Sequence, residues 1–378
     1  MRLLKLTLLS TLLLLTACLE SRQIEDLGVI IARGTDKAED DKIETSLVIF
    51  QFESQSQEIA KVVTGKGHTF KGAMVNANYE TNFLLDEGKI QVELYEKELA
   101  KQGLTPYIDM ISRDPNTPDT LYLAISDKKA KDIINLQYQG ISVNIGQYLH
   151  GVIEQNSNQE SLFPKTTLVS FTRILNDVGI DPVLPVFSFD SEGGIPKITH
   201  IGLLKNDKFV GQIPIENKTM INLINNKLKD VMIEFTIPAE PFKNKIKHRN
   251  LDSEKLYVSF MILKSKGDIE VIDKEQLRFR INLKAKLVLL EILEELDLSD
   301  NETLHLIEKE IEKRLQQRYK RLLTYFKELN VDPLGFGTEY RKVYRKGELT
   351  DKQWRAKYPN INVDYNFDVN IIRHGETY

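Results

Sequence analysis

Hydrophobic and polar residues alternate most regularly in the last third of the chain. Leu277, Phe279, Ile281, Leu283, Ala285, Leu287 and Leu289 are spaced by Arg278, Arg280, Asn282, Lys284 and Lys286. A period of two over this length predicts a strand over 277–289 with one buried face. Val363, Tyr365, Phe367, Val369 and Ile371 repeat the pattern, with Asn362, Asp364, Asn366, Asp368 and Asn370 between them. Both strands are expected in one sheet. Between them, Leu304, Ile307, Ile311, Leu315, Tyr319, Leu322, Phe326 and Leu329 recur every three or four residues, which predicts a covering helix over 300–329. Its acids precede its bases, complementing the helix dipole. Ser299 and Glu302 read as a capping box, and Asp332-Pro333 as the stop.

The earlier chain reads as shorter elements. Strands are expected at 28–33, 45–52, 89–94, 120–125 and 183–189. Helices are expected at 70–78, 95–102, from Pro106 to about 112, and at 127–136, 143–155 and 167–176. Asp190-Ser191-Glu192-Gly193-Gly194 breaks this pattern and reads as a linker. A hairpin over 198–204 and 209–213 turns at Asn206-Asp207, followed by a helix at 216–228 and a strand at 231–237. The polar stretch 238–252 is a softer boundary. A strand at 256–263 leads to a turn at Lys266-Gly267-Asp268. The expectation is an α+β fold of three consecutive mixed domains, each a β-sheet flanked by helices. They span 18–192, 193–245 and 246–378, after a leader over 1–17.

Composition narrows the function. The 378 residues carry 51 basic and 55 acidic side chains, a net charge of −4. Nucleic acid is not an expected partner, because that task needs a basic excess. The one cysteine, Cys18, excludes an intramolecular disulfide and a cysteine-built zinc or iron–sulfur site. It stands where a leader would end. Arg2 and Lys5 precede the apolar run 6–15, which reads as a secretory signal. The uncharged run to Leu19 rises only ~21 Å, against ~30 Å of hydrocarbon. Leu15-Thr16-Ala17-Cys18 has the form of a bacterial lipobox, making Cys18 the expected lipid-attachment site. The tether from Leu19 to Gln23 reaches at most ~18 Å, which keeps the head near the bilayer.

Catalytic chemistry is sparse. His68, His150, His200, His248, His305 and His374 show no metal-ligand spacing, and no HExxH or GxSxG occurs. Gly65, Gly67 and Gly72 fit no phosphate loop and read as turn glycines. The basic stripe Arg278, Arg280, Lys284 and Lys286 has two readings. It is a solvated face, or charges opposed by Asp364 and Asp368 of the final strand, which is the favoured reading, or it is a contact for lipid phosphates or an acidic partner. No catalytic, metal or cofactor-binding residue is assigned.

Several short motifs together resemble one family. Cys18, Arg22 and Ile24, then Gly34 and Asp36 after a strand, fit its opening pattern C-W-D-x-R-E-I … G-I-D. Leu19, Glu20, Gln23 and Thr35 depart from it. The stretch from Gly202 to Gly211, the run Asp332-Pro333-Leu334-Gly335-Phe336-Gly337, and Trp354 before the last strand and Gly375 continue the likeness. The chain resembles the C-subunit lipoproteins of the nutrient germinant receptors of spore-forming bacteria, the Ger(x)C family. The resemblance implies a three-domain α+β head on the outer face of the spore inner membrane. It implies two integral membrane partners, an A-type and a transporter-like B-type subunit, with membrane lipid held through Cys18. It implies no enzymatic activity and no cofactor. Two other readings are a solute-binding surface lipoprotein of a transporter and a lipoprotein hydrolase with dispersed residues.

Overall fold

The computed structural model describes residues 26–51, 60–136, 144–159, 164–189, 194–224, 228–248, 254–344 and 348–374. Cys18, Arg22, Ile24 and Asp190 to Gly193 lie outside these residues. In chain order the first part holds β1 (Leu27–Lys37), β2 (Ile43–Phe50), β3 (Ala60–Gly67), α1 (Phe70–Asn78), β4 (Leu84–Asp86), β5 (Val92–Glu96), α2 (Lys97–Gln102) and α3 (Thr105–Ser112). It continues with β6 (Tyr122–Ser126), α4 (Ala130–Ile134), α5 (Ile145–Glu154), α6 (Leu168–Leu175), β7 (Val183–Ser188), β8 (Lys197–Lys205) and β9 (Lys208–Pro214). Then come α7 (Lys218–Ile224), β10 (Val231–Pro238), β11 (Ile246–His248), β12 (Lys255–Asp273), β13 (Arg278–Ile292) and β14 (Glu295–Leu296). The chain closes with α8 (Asn301–Leu329), α9 (Phe336–Val343), α10 (Asp351–Lys357) and β15 (Asn362–His374).

The first nine strands form one sheet, in order β3-β2-β1-β5-β6-β7-β8-β9, with β4 on β1. Its centre, β1-β5-β6-β7, is parallel, and both wings are antiparallel. A parallel centre must be covered on both faces. One face carries Phe70, Leu99, Ile108 and Phe171 from α1, α2, α3 and α6. The other meets Ile133 and Leu149 of α4 and α5, in a core that runs on into the second sheet.

The second sheet, β10-β12-β13-β15, is antiparallel except for the last pair. As expected, 277–289 and 363–371 share one sheet, and they are direct neighbours in it, from Arg278↔Asn362 onward. The odd-numbered residues from Phe279 to Leu289, with Val369 and Ile371, are buried, and Leu277, Val363, Tyr365 and Phe367 are partly buried. Helix α8 covers that face with Ile307, Ile311, Leu315, Tyr319 and Phe326. The helix also closes the sheet's free edge. Backbone N–H groups of Val369 and Ile371 donate to Glu312 (3.1 Å) and Glu308 (2.7 Å), so the edge offers fewer bare donors to another strand.

Several expectations are corrected. The boundary after residue 192 falls between β7 and β8, which pair from Val183↔Leu203 to Ser188↔Lys197. The segment 193–245 builds no sheet of its own among the described residues: its hairpin extends the first sheet and β10 edges the second. A glycine- and acid-rich break interrupts the chain, not the hydrogen bonding that strands resume beyond it. Lys266-Gly267-Asp268 is no turn, since β12 runs straight through it. Gly267 is small because a Cβ there would lie 2.6 Å from the Ile224 Cα of α7. Gly65 and Gly67 likewise sit in β3, a strand not anticipated, where Ala73 and Ala77 of α1 press on them. The α8 cap is Asp300, accepting from the N–H groups of Glu302 and Thr303. Ser299 instead donates its hydroxyl to Asp297 (2.6 Å).

Candidate functional site

The end of α8 is where the two sheets are fastened together. Asn330 takes a left-handed conformation (φ 53°) and closes the helix. Two residues on, the fully buried Asp332 accepts backbone N–H bonds from Gly335 (2.9 Å), Phe336 (3.2 Å) and Gly337 (2.9 Å). It also accepts the Trp354 Nε1–H (3.1 Å), so one carboxylate starts α9 and pins α10. Asp181, just before β7, exchanges backbone bonds with this residue. Its N–H donates to the Asp332 carbonyl (2.9 Å), and the Asp332 N–H donates to its Oδ2 (2.6 Å). Arg355 of α10 forks onto Asp181 at 2.5 and 2.6 Å, and reaches the Asn330 carbonyl (3.1 Å) and the Asn206 side chain (2.8 Å). Asn206 is the turn residue of the β8–β9 hairpin, and its N–H donates to Asp181 (3.0 Å).

Electrostatics follow from this burial. Loss of water pushes the Asp332 carboxyl up to about 7, against the pull of the Gly337 N–H and helped by the charge of Asp181. Burial works against the Arg355 cation too, yet the Asp181 hydrogen bonds and charge outweigh it and hold its pKa above the ordinary value. Packing is as close as the polar contacts. Gly179 (φ 97°) and Gly337 lie backbone to backbone, and the Thr338 N–H donates to the Gly179 carbonyl (3.0 Å). A Cβ on either would strike the other. Trp354 stacks on Tyr340 (centroids 5.5 Å apart) and packs edge-on to Phe279 of β13 (6.3 Å).

A second polar cluster lies inside the first sheet. Arg33, wholly buried, donates to Glu93 (2.7 Å) and Glu87 (2.8 Å), with its guanidinium 4.3 Å from the Phe70 ring centroid. Burial raises the Glu93 carboxyl to about 7 despite Arg33. Beside it, Asp36 accepts from the N–H groups of Ala130 (2.6 Å) and Lys131 (2.8 Å), holding the start of α4. Gly34 is small because a Cβ would lie 2.9 Å from Ile134.

The structure therefore gives the motifs singled out in the sequence a joining role. Asn206 and Asp332, from two separate motifs, meet at Asp181, and Trp354 from a third joins them through Asp332; Gly34 and Asp36 seat α4. The arrangement is mechanical: displacement of α10 would pull on both the β8–β9 turn and the start of β7. Cys18 lies outside the described residues. The basic stripe divides: Arg278 pairs with Asp364 (2.9 Å), Lys284 with Asp368 (3.6 Å) and Arg280 with Glu270 (3.7 Å). Among the described residues no cluster of His, Cys, Asp and Glu is placed to hold a metal ion. Sequence reasoning missed Asp181, Arg355, Arg33 and Glu93. One signal was available, an apolar-Asp-Pro triplet occurring twice, at 180–182 and 331–333.

Comparison with known proteins agrees with these motifs. Residues 20–189 match the model of the spore germination protein N-terminal domain. Residues 199–375 match that of the spore germination B3/GerAC-like C-terminal domain. The chain is 20% identical to the Bacillus cereus spore germination protein GerQC, covering 96% of each. It is 22% identical to the Bacillus subtilis spore germination protein KC, over 99% of this chain and 96% of that one. The crystal structure of the GerBC protein superposes with a TM-score of 0.52 at 16% identity, over 91% of this chain and 98% of that one, and shows the same fold. Matched in order along both halves, the chain belongs to the GerAC-like family of spore germination proteins.

Proposed function

We propose that this protein is the non-catalytic, lipid-anchored C subunit of a nutrient germinant receptor. Its head stands on the outer face of the spore inner membrane beside two integral membrane subunits, one A-type and one transporter-like B-type. Cys18, acylated after removal of the leader, is the anchor, and two or more acyl chains hold such a head firmly. The observation that carries the reading is the ordered pair of family matches, which begins at residue 20, just after Cys18. The junction supports a role in transmission. It couples segments far apart in sequence, so partners that grip one sheet bias the position of the other. A solute-capturing lipoprotein would call for two similar lobes about a cleft, whereas the two large sheets here differ in strand number and direction.

The test is dipicolinate release after a nutrient pulse, in spores whose only nutrient receptor is the one containing this chain. Deletion of the chain should abolish that response and leave germination by a long-chain alkylamine intact. Cys18→Ala should give a weaker version of the same defect, with no fatty-acid label on the protein. A normal nutrient response in the deletion strain ends the reading.

A further inference from the structure

The second sheet has one face on the core and one in solvent, and the solvent face is unevenly built. At one end Arg280 is matched with Glu270 (3.7 Å), and Asn282 donates to Asp268 (3.0 Å). In the middle the pattern reverses. Lys264 stands directly opposite Lys286, and Lys266 opposite Lys284, all four exposed on neighbouring strands. Like charges at opposed positions destabilise a sheet. Only Lys284 has a carboxylate within 4 Å among the described residues, that of Asp368. About 7 Å further along the strands, the next outward row is apolar on β10, β12 and β13: Met232, Met261 and Val288, paired in register, with Arg373 of β15 opposite Val288. Met232 is 70% exposed, and Leu290 (44%) and Ile372 (43%) flank the row.

From this juxtaposition we propose that the outward face of β10, β12, β13 and β15 docks on an anionic lipid bilayer. The apolar row would enter the headgroup boundary and the lysine quartet would meet lipid phosphates. The lysines border the apolar row on one side, three of them without a carboxylate within 4 Å among the described residues, while Glu234 and Glu291 lie in the next row on its other side. Exposed apolar side chains beside such lysines are the chemistry an anionic surface recognises. The quartet's mutual repulsion, a cost in the free protein, is relieved when negative headgroups lie between the ammonium groups. The face adds a second contact to the acyl anchor and sets which side of the head faces the membrane. It rests on the proposed reading only for the presence of a bilayer nearby.

The experiment uses the chain from residue 18 onward carrying Cys18→Ala, so that neither the leader nor an acyl chain contributes. Binding is measured by co-sedimentation with vesicles of phosphatidylcholine, with and without phosphatidylglycerol, across a salt series. Phosphatidylglycerol should strengthen binding, and salt should remove that gain. Lys264→Gln, Lys266→Gln, Lys284→Gln and Lys286→Gln together should weaken it at least ~100-fold. A control with the same loss of charge elsewhere, Lys66→Gln, Lys101→Gln, Lys313→Gln and Lys342→Gln, should change it less than about tenfold. The lysine-quartet variant should keep or raise the thermal midpoint, since opposed like charges are removed. Should it unfold, Met232→Ser with Leu290→Ser decides, and is expected to weaken binding to both vesicle types. Equal loss in the two quadruple variants overturns the proposal. Equal binding with and without phosphatidylglycerol does so too. So does an absence of vesicle binding, the result an acidic protein partner would leave. Spores are not involved, so failure here leaves the receptor-subunit reading to its own test.

Discussion

The two large sheets bury their strands differently. In the first, β5 and β6 are buried at every position, and charge is taken inside with them as Arg33, Glu93 and Asp36. In the second, β12 and β13 bury every other residue and leave their charges outside. A strand covered on both faces cannot place a charge in water, so each charge inside it needs a built partner. A strand covered on one face sheds its charges to solvent at little cost. The same residue types therefore carry different energetic weight in the two halves, and substitutions should separate them.

The largest effect is expected at Arg33. Arg33→Ala leaves Glu93 buried without its cation and should cost ~3–5 kcal/mol in denaturant unfolding. Arg33→Met with Glu93→Leu should recover most of that loss. A cost below ~1 kcal/mol for the single variant would contradict the comparison. Next, neighbours on β13 should diverge. Leu283→Ala empties core space and should cost ~2–5 kcal/mol, whereas Lys284→Ala on the other face should stay within ~0.5 kcal/mol.

Asp332→Asn sharpens the comparison at the junction. An acid whose folded pKa is about 7 and whose unfolded value is ~3.9 binds its proton more tightly when folded. Its stabilising share is present below ~4 and is lost as pH rises toward about 7. Glu93, also raised to about 7, acts in the same direction. Stability should fall with rising pH across that window. Asp332→Asn should flatten the slope while costing ~1–3 kcal/mol through the weakened N–H cradle. An unchanged slope would show that Asp332 is already ionised in mild acid. A small effect, like that at Lys284, is expected elsewhere on the outward face. Arg278→Ala breaks an exposed pair with Asp364 and should cost only ~0–1 kcal/mol, vanishing in high salt.

Legibility in the sequence followed the same divide. The strands at 277–289 and 363–371 and the helix between them were readable because one-sided burial writes its period into the residues. The β8–β9 hairpin was readable from Asn206-Asp207, and its turn residue does take a positive φ of 56°. The strand β3 was missed, because Ala60-Lys61-Val62-Val63-Thr64-Gly65 shows no clean alternation and its glycines mimic turn residues. Gly267 misled for the same reason. At both places the glycine answers to a helix packed against it, which neighbouring residues do not reveal. The junction was half visible. Its motifs stood out as family marks, while of the two residues that bind them together Asp181 had only the repeated apolar-Asp-Pro triplet to mark it and Arg355 carried no pattern.

The sequence by itself raised the leader and the acylatable Cys18 as expectations, and determined the α+β class, most element positions and the inward face of the second sheet. Each is a local property, set by composition or by spacing along the chain. Only the tertiary structure decided that the 193–245 segment divides between two sheets. It alone showed that Asp181, Asn206, Asp332 and Arg355 form one fastening, and that Lys264 and Lys266 face Lys286 and Lys284. Those are relations between residues 18 to 174 positions apart. Register and burial fix them, and the pattern along one strand carries no record of which strand lies beside it.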